Sequence, residues 1–118
     1  MNHTTGAELE WRPAPAETFT GRTWFGPMVR DADPMGLFVI GVLFEPAART
    51  HWHSHPAGQT LYVASGSGIV GNRSGDLRSI TAGDVVTVPP GEVHWHGAVE
   101  GSYMMHLSIT TGGPTVWT

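Results

Sequence analysis

Glycine and proline interrupt this chain so regularly that no stretch sustains the 3.6-residue apolar period of a helix. Sixteen glycines and nine prolines are spread along 118 residues, and the segments between them read as short strands joined by turns. "GLFVIGVLF" (36–44) is rich in branched and aromatic residues and reads as a strand buried on both faces. "EPAAR" turns the chain into "THWH", Pro56 and Gly58 make a second turn, and "QTLYVAS" (59–65) is the returning strand. "GSG" and "NRSGD" read as turns around a short strand at 69–70, and "TAGD" (81–84) is the turn before "VVTV". That strand stops at Pro89-Pro90-Gly91, and "VHWHGAV" and "SYMMHLSIT" supply two more. Seven or more short strands at this spacing predict an all-β sandwich or barrel.

The length allows one core and therefore one domain. Residues 1–20 are polar and broken by proline, and are expected to form an N-terminal arm that is loosely ordered alone; 21–118 form the barrel domain. The chain has no cysteine, which excludes disulfides, thiolate ligands and a thiol nucleophile. All six basic residues are arginine, so a lysine Schiff base or lysine general base is also excluded. A net charge of −4 without a basic cluster argues against a nucleic-acid partner. No apolar run reaches membrane-spanning length, and the N-terminus lacks a basic start followed by an apolar stretch. The expected location is the cytoplasm, with no membrane partner.

The chemistry is carried by histidine. His53 and His55 are alternate residues of one extended segment, so they project the same way, roughly 6.5–7 Å apart along the chain. That spacing lets two imidazoles converge on one ion, and the turn at Pro56–Gly58 brings Gln59 onto the neighbouring strand within reach of the same point. His94 and His96 form a second His-x-His pair on one face of a later strand. Two such pairs, each beside a proline–glycine turn, point to a metal site. Imidazole suits several divalent metals, so the donor set does not select one.

The arrangement resembles the cupin superfamily. In its first motif, G-x5-H-x-H-x3,4-E-x6-G, the matching positions are His53, His55, Gln59 and Gly66, with Ala47 in place of the first glycine and Gln59 in place of the glutamate. In its second, G-x5-P-x-G-x2-H-x3-N, they are Gly83, Pro89, Gly91 and His94, with Ala98 in place of the asparagine. "ARTHWHSHPAGQTLYVASGSG" and "GDVVTVPPGEVHWHGA" are similar to small bacterial cupins that include manganese-dependent hydroxynitrile lyases, and in ligand pattern to zinc cupins that act as polyketide cyclases. The resemblance implies a cupin-type double-stranded β-helix, a jelly-roll barrel that pairs into a homodimer. It also implies a metal held by His53, His55, Gln59 and His94. The expected ion is divalent: manganese, zinc or iron first, nickel or cobalt next.

Three imidazoles and an amide are all neutral, so such an ion keeps its full charge and acts as a strong Lewis acid. This tilts the expectation toward non-redox C–C cleavage or closure on a small carbonyl-type substrate. A cupin dioxygenase and a non-catalytic small-ligand binder stand as alternatives. His96, facing the same interior as His94, and His106, between Met104 and Ser108 on one face of the last strand, are the candidates to move a proton. His51 is expected at the rim. Trp52 and Trp95 alternate with the histidines and are expected to point outward; Tyr103 is expected in the core or an interface. Ile40, Val42 and Phe44 share one face of their strand and Val39 and Leu43 the other, and one set should line the pocket.

Overall fold

A computed structural model describes residues 1–29 and 36–118. Among them the helical content is one 3₁₀ turn, Gly6–Glu8, and no helix is long and apolar enough to cross a membrane. The strands in the first half are β1 (Arg12–Pro13), β2 (Phe19–Thr20), β3 (Thr23–Val29), β4 (Leu37–Phe44), β5 (Arg49–Thr50) and β6 (His53–Ser54). Those in the second are β7 (Gln59–Asn72), β8 (Leu77–Thr81), β9 (Val85–Val88), β10 (His94–Ala98), β11 (Met104–Thr111) and β12 (Val116–Trp117). The all-β expectation holds, and every pairing is antiparallel.

Two curled sheets share one long strand. The first half of β7 lies between β11 and β9, and its second half lies between β10 and β8. "GSG" at 66–68 is therefore not the expected turn but the corner at which β7 passes from one sheet to the other. Gly66 is in the left-handed region (φ +78°), and a Cβ there would stand 2.0 Å from the Tyr103 carbonyl oxygen. Only glycine permits that corner. The register also shifts just before it: Met105 pairs with Ser65 and His106 with Val63, so Ala64 is an extra residue in β7. The bulge inverts the alternation. Gln59, Leu61 and Val63 face the interior before it, and Gly68 and Val70 face the interior after it. β3 and β8, which the sequence reading did not predict, complete the two sheets.

The interior is apolar at one end and histidine-rich at the other. Phe44, Leu61, Val63 and Met104 are fully buried, each contributing about 1.5–3 kcal/mol of burial. Ile40, Val42 and Phe44 are the inward set of β4, which resolves the parity left open by the sequence. Phe38, near the start of the strand and of the same parity, is 41% exposed, and the outer face of β4 carries Leu37, Val39, Gly41 and Leu43. At its middle the cover is Trp11, whose indole rests on the register-paired Gly26 and Gly41, where a Cβ would come within 2.9 and 2.8 Å of it. Phe19 enters the core and meets Phe25 edge-on at 5.2 Å. Apolar burial thus orders the second half of the segment expected as a loose arm.

Candidate metal centre

The site is built where β6, β7, β10 and β11 bring their inward residues together. His53 and His94 are direct cross-strand partners, with ring centroids 4.3 Å apart. His53 is in a strand of only two residues, and His55 follows just outside it at 5.1 Å from the His53 ring. Gln59 opens β7 beside them, and His96 follows His94 on the same face, 5.1 Å from His53. His106 comes in from β11, register-paired with Val42 and Val63, and Phe44 underlies both His96 and His106 at 5.9 and 5.3 Å. All six sequence-predicted residues, His53, His55, Gln59, His94, His96 and His106, are buried and close together.

The backbone fixes which nitrogen each ring presents. His53 Nδ1–H donates to the His51 carbonyl at 2.9 Å, and His94 Nδ1–H donates to the Glu92 carbonyl at 3.0 Å. Both rings therefore turn an unprotonated Nε2 inward. His55 has Nδ1 3.5 Å from Thr115 Oγ1 and a buried Nε2 without a hydrogen-bond partner. Gln59 Oε1 is 2.9 Å from His94 Nε2, while its Nε2–H donates to Ser108 Oγ at 2.8 Å. His96 Nδ1 and His106 Nε2 share a hydrogen bond of 3.0 Å, and His96 Nε2 has no partner.

Burial keeps these rings neutral. Desolvation is the leading cause at every one, pushing His53 down to about 3, and His55 and His106 down to about 4. His94 is lowered for the same reason, and His96 falls well below the ordinary range, with the neighbouring His106 and His53 adding to the effect. One nitrogen each of His53, His94 and His96 lies within 4.8 Å of the others, a grouping that could hold a metal ion.

His53, His55, Gln59, His96 and His106 open onto a cavity of about 310 Å³ whose other walls include Phe19, Phe25, Ile40, Val42 and Trp117. Trp117 reaches it because β12 pairs with β6 directly over His53, and the two rings are 4.8 Å apart. A second hollow, about 500 Å³, opens between β8 and β9 and includes His94 in its wall. Its charged groups are already engaged: Asp76 with Arg78 at 2.9 Å, Asp84 with the Thr81 amide at 2.8 Å, and Glu92 with Asn72 at 2.7 Å. Unpartnered donor atoms converge instead on the smaller cavity.

The remaining expectations resolve simply. His51 is exposed and outside the cavity, and its carbonyl orients His53. Trp95 and Trp52 face outward, under Arg49 at 3.6 Å and Arg73 at 4.2 Å. Tyr103 is 46% exposed and not in the core, because it precedes β11 on its outer side. The sequence reading missed Ser108, Thr115 and Trp117 as site residues. Ser108 was within reach, since it shares strand parity with His106.

The cupin domain family matches residues 42–110. The chain is 46% identical over 95 residues to an (R)-mandelonitrile lyase from Granulicella tundricola, covering 80% of this chain and 72% of that one. A cupin-like protein from Thermotoga maritima superposes with a TM-score of 0.86 at 42% identity, over 90% of this chain and 83% of the other. The polyketide cyclase RemF from Streptomyces resistomycificus shares the fold, with a TM-score of 0.87 at 16% identity over 100% and 85% of the two chains.

Proposed function

This chain belongs to the cupin family, and from that premise we propose that it is a metal-dependent lyase acting on a small aromatic cyanohydrin. The reaction is non-redox: the substrate C–C bond cleaves to an aldehyde and hydrogen cyanide, or closes in the reverse direction. His53, His55, Gln59 and His94 would hold one divalent ion. The residues fit such an ion. His53 and His94 present bare Nε2 atoms, His55 Nε2 is buried without a partner, and Gln59 Oε1 faces the His94 lone pair at 2.9 Å. Two lone pairs in that position repel unless a positive charge lies against both. Neutral imidazole and amide donors suit manganese, iron and zinc alike.

When bound, the ion supplies Lewis acidity toward the substrate oxygen, undiminished by any carboxylate ligand. The protein moves the proton. His96 Nε2, unpartnered at the cavity, takes the substrate hydroxyl proton as the carbonyl forms and cyanide departs, and then returns it to cyanide. His106, bonded to the other nitrogen of the same ring, holds the ring in place and shares the positive charge. A desolvated imidazolium gives its proton up readily, which suits the return step. Phe19, Val42 and Trp117 exclude water and supply an apolar seat for an aromatic ring.

The observation that carries this reading is one cavity lined by His53, His55, Gln59, His96 and His106, with His94 Nε2 2.9 Å from Gln59 Oε1. Mandelonitrile is the substrate to test, with benzaldehyde release followed after loading with Mn(II), Fe(II) or Zn(II). Activity is expected with one of these ions, lost on chelation and unchanged without oxygen. Full activity in the metal-free protein would overturn the reading. A strict requirement for Fe(II) and oxygen would transfer the chain to the dioxygenases.

A further inference from the structure

Gln59 carries a difficulty of its own. The two ends of an amide have nearly the same shape, yet only Oε1 can bind a cation; Nε2 carries two hydrogens and no lone pair to offer. The end that faces the site is decided by the neighbours. On one side is His94, whose Nδ1–H is committed to the Glu92 carbonyl, so its Nε2 is an acceptor. Without a cation, that acceptor favours the amide's NH₂ end, the orientation in which Gln59 binds no metal. On the other side is Ser108, on the inward face of β11, whose hydroxyl accepts from Gln59 Nε2 at 2.8 Å.

We propose that Ser108 is the positioning residue for Gln59, anchoring the outer end of the amide so that its inner end stays beside the His94 ring, where a cation turns Oε1 inward. A hydroxyl is suited to this because it works in both states. With Oε1 turned inward, Ser108 Oγ accepts from Nε2; with the amide reversed, the Ser108 O–H donates to Oε1. The buried amide keeps a partner throughout, so reversal on metal uptake or loss leaves no buried polar group unpaired at the Ser108 side. Gln59 is only 5% exposed, so water is a poor substitute for the hydroxyl. This inference rests on reading Gln59 as a metal ligand, and deepens it.

The test is Mn(II) binding by the purified full chain, followed by the electron paramagnetic resonance of free Mn(II), for the wild type, Ser108→Ala, Ser108→Thr and Gln59→Ala. Ser108→Ala is expected to weaken binding by about tenfold or more, as loss of an outer partner of a metal ligand does. Ser108→Thr, which keeps the hydroxyl, should retain wild-type affinity and melt with the wild type in the metal-free state, while metal-free Ser108→Ala, its buried amide unpaired, should melt lower. Wild-type affinity in Ser108→Ala alongside weakened binding in Gln59→Ala would overturn the role of Ser108 and leave the metal site standing. Unchanged binding in Gln59→Ala, or no binding by the wild type, would overturn both.

Discussion

His106 Nε2 stands 3.0 Å from His96 Nδ1, inside a barrel where neither ring reaches water. One proton serves both nitrogens, so the state of His106 sets whether His96 presents an acid or a base to the cavity. His106→Ala is expected to lower kcat by about a hundredfold or more while metal content stays at the wild-type level. Elemental analysis beside steady-state kinetics checks both halves. Wild-type kcat in that variant would remove His106 from the proton path.

Two overlapping sets of imidazoles are placed where they could hold one ion. His53, His94 and His96 have ring nitrogens within 4.8 Å of one another, whereas the proposed centre uses His55 with Gln59 and leaves His96 for proton transfer. His55→Ala is expected to lose metal, and His96→Ala to keep the metal and lose turnover. The reverse pattern in metal content would assign His96 as the third imidazole ligand.

Acid should unfold the metal-free protein through these rings. His53 and His106 are held near 3 and 4 in the fold against about 6.5 in the unfolded chain, so below pH 6.5 the unfolded state binds more protons. Stability is fully present above pH 6.5 and falls steadily with pH down to about 4. At pH 5 the loss is about 2 kcal/mol for each of these two rings. Urea unfolding of the metal-free chain between pH 4.5 and 8 measures it, and a flat profile would contradict neutral burial.

Two left-handed positions predict opposite responses to exchange between alanine and glycine. Ala47 has φ +67°, at the place where the cupin motif has glycine, and it ties the end of β4 to the Val99 carbonyl at 3.0 Å. Ala47→Gly should relieve strain and stabilise the chain by up to about 1 kcal/mol. Gly66→Ala meets both a positive φ and the Tyr103 carbonyl, and should cost more than about 3 kcal/mol. Gly101→Ala, with nothing within 4 Å, is the control and should be neutral. Chemical denaturation of the three variants decides the matter.

Most of the architecture was legible because turn residues punctuate it, and the strands at 37–44, 85–88 and 104–111 fall close to those expected at 36–44, 85–88 and 102–110. The gathering of His53, His55, His94, His96 and His106 was legible from parity, since a two-residue period decides which side chains can meet. "GSG" misled because glycine signals a turn and a sheet corner alike, and local sequence does not distinguish them. β3 has strand-forming Thr23, Trp24, Phe25 and Val29, but Gly26 and Pro27 at its centre break the run, and its pairing comes from long-range contact with β4. The Gln59–Ser108 bond spans 49 positions, and only the β7–β11 register brings its ends together.

That register turns on a single residue. Because Ala64 is the extra residue of β7, its deletion would restore plain alternation through the strand, and one half would have to turn inside out. Either Gln59, Leu61 and Val63 would leave the interior, or Val70 and the wall opposite His96 would. Ala64 touches no ligand and its side chain is exposed, so substitution there should pass unnoticed. The length of this strand is thus under tighter constraint than its composition: the site tolerates a changed letter at 64 but not a missing one.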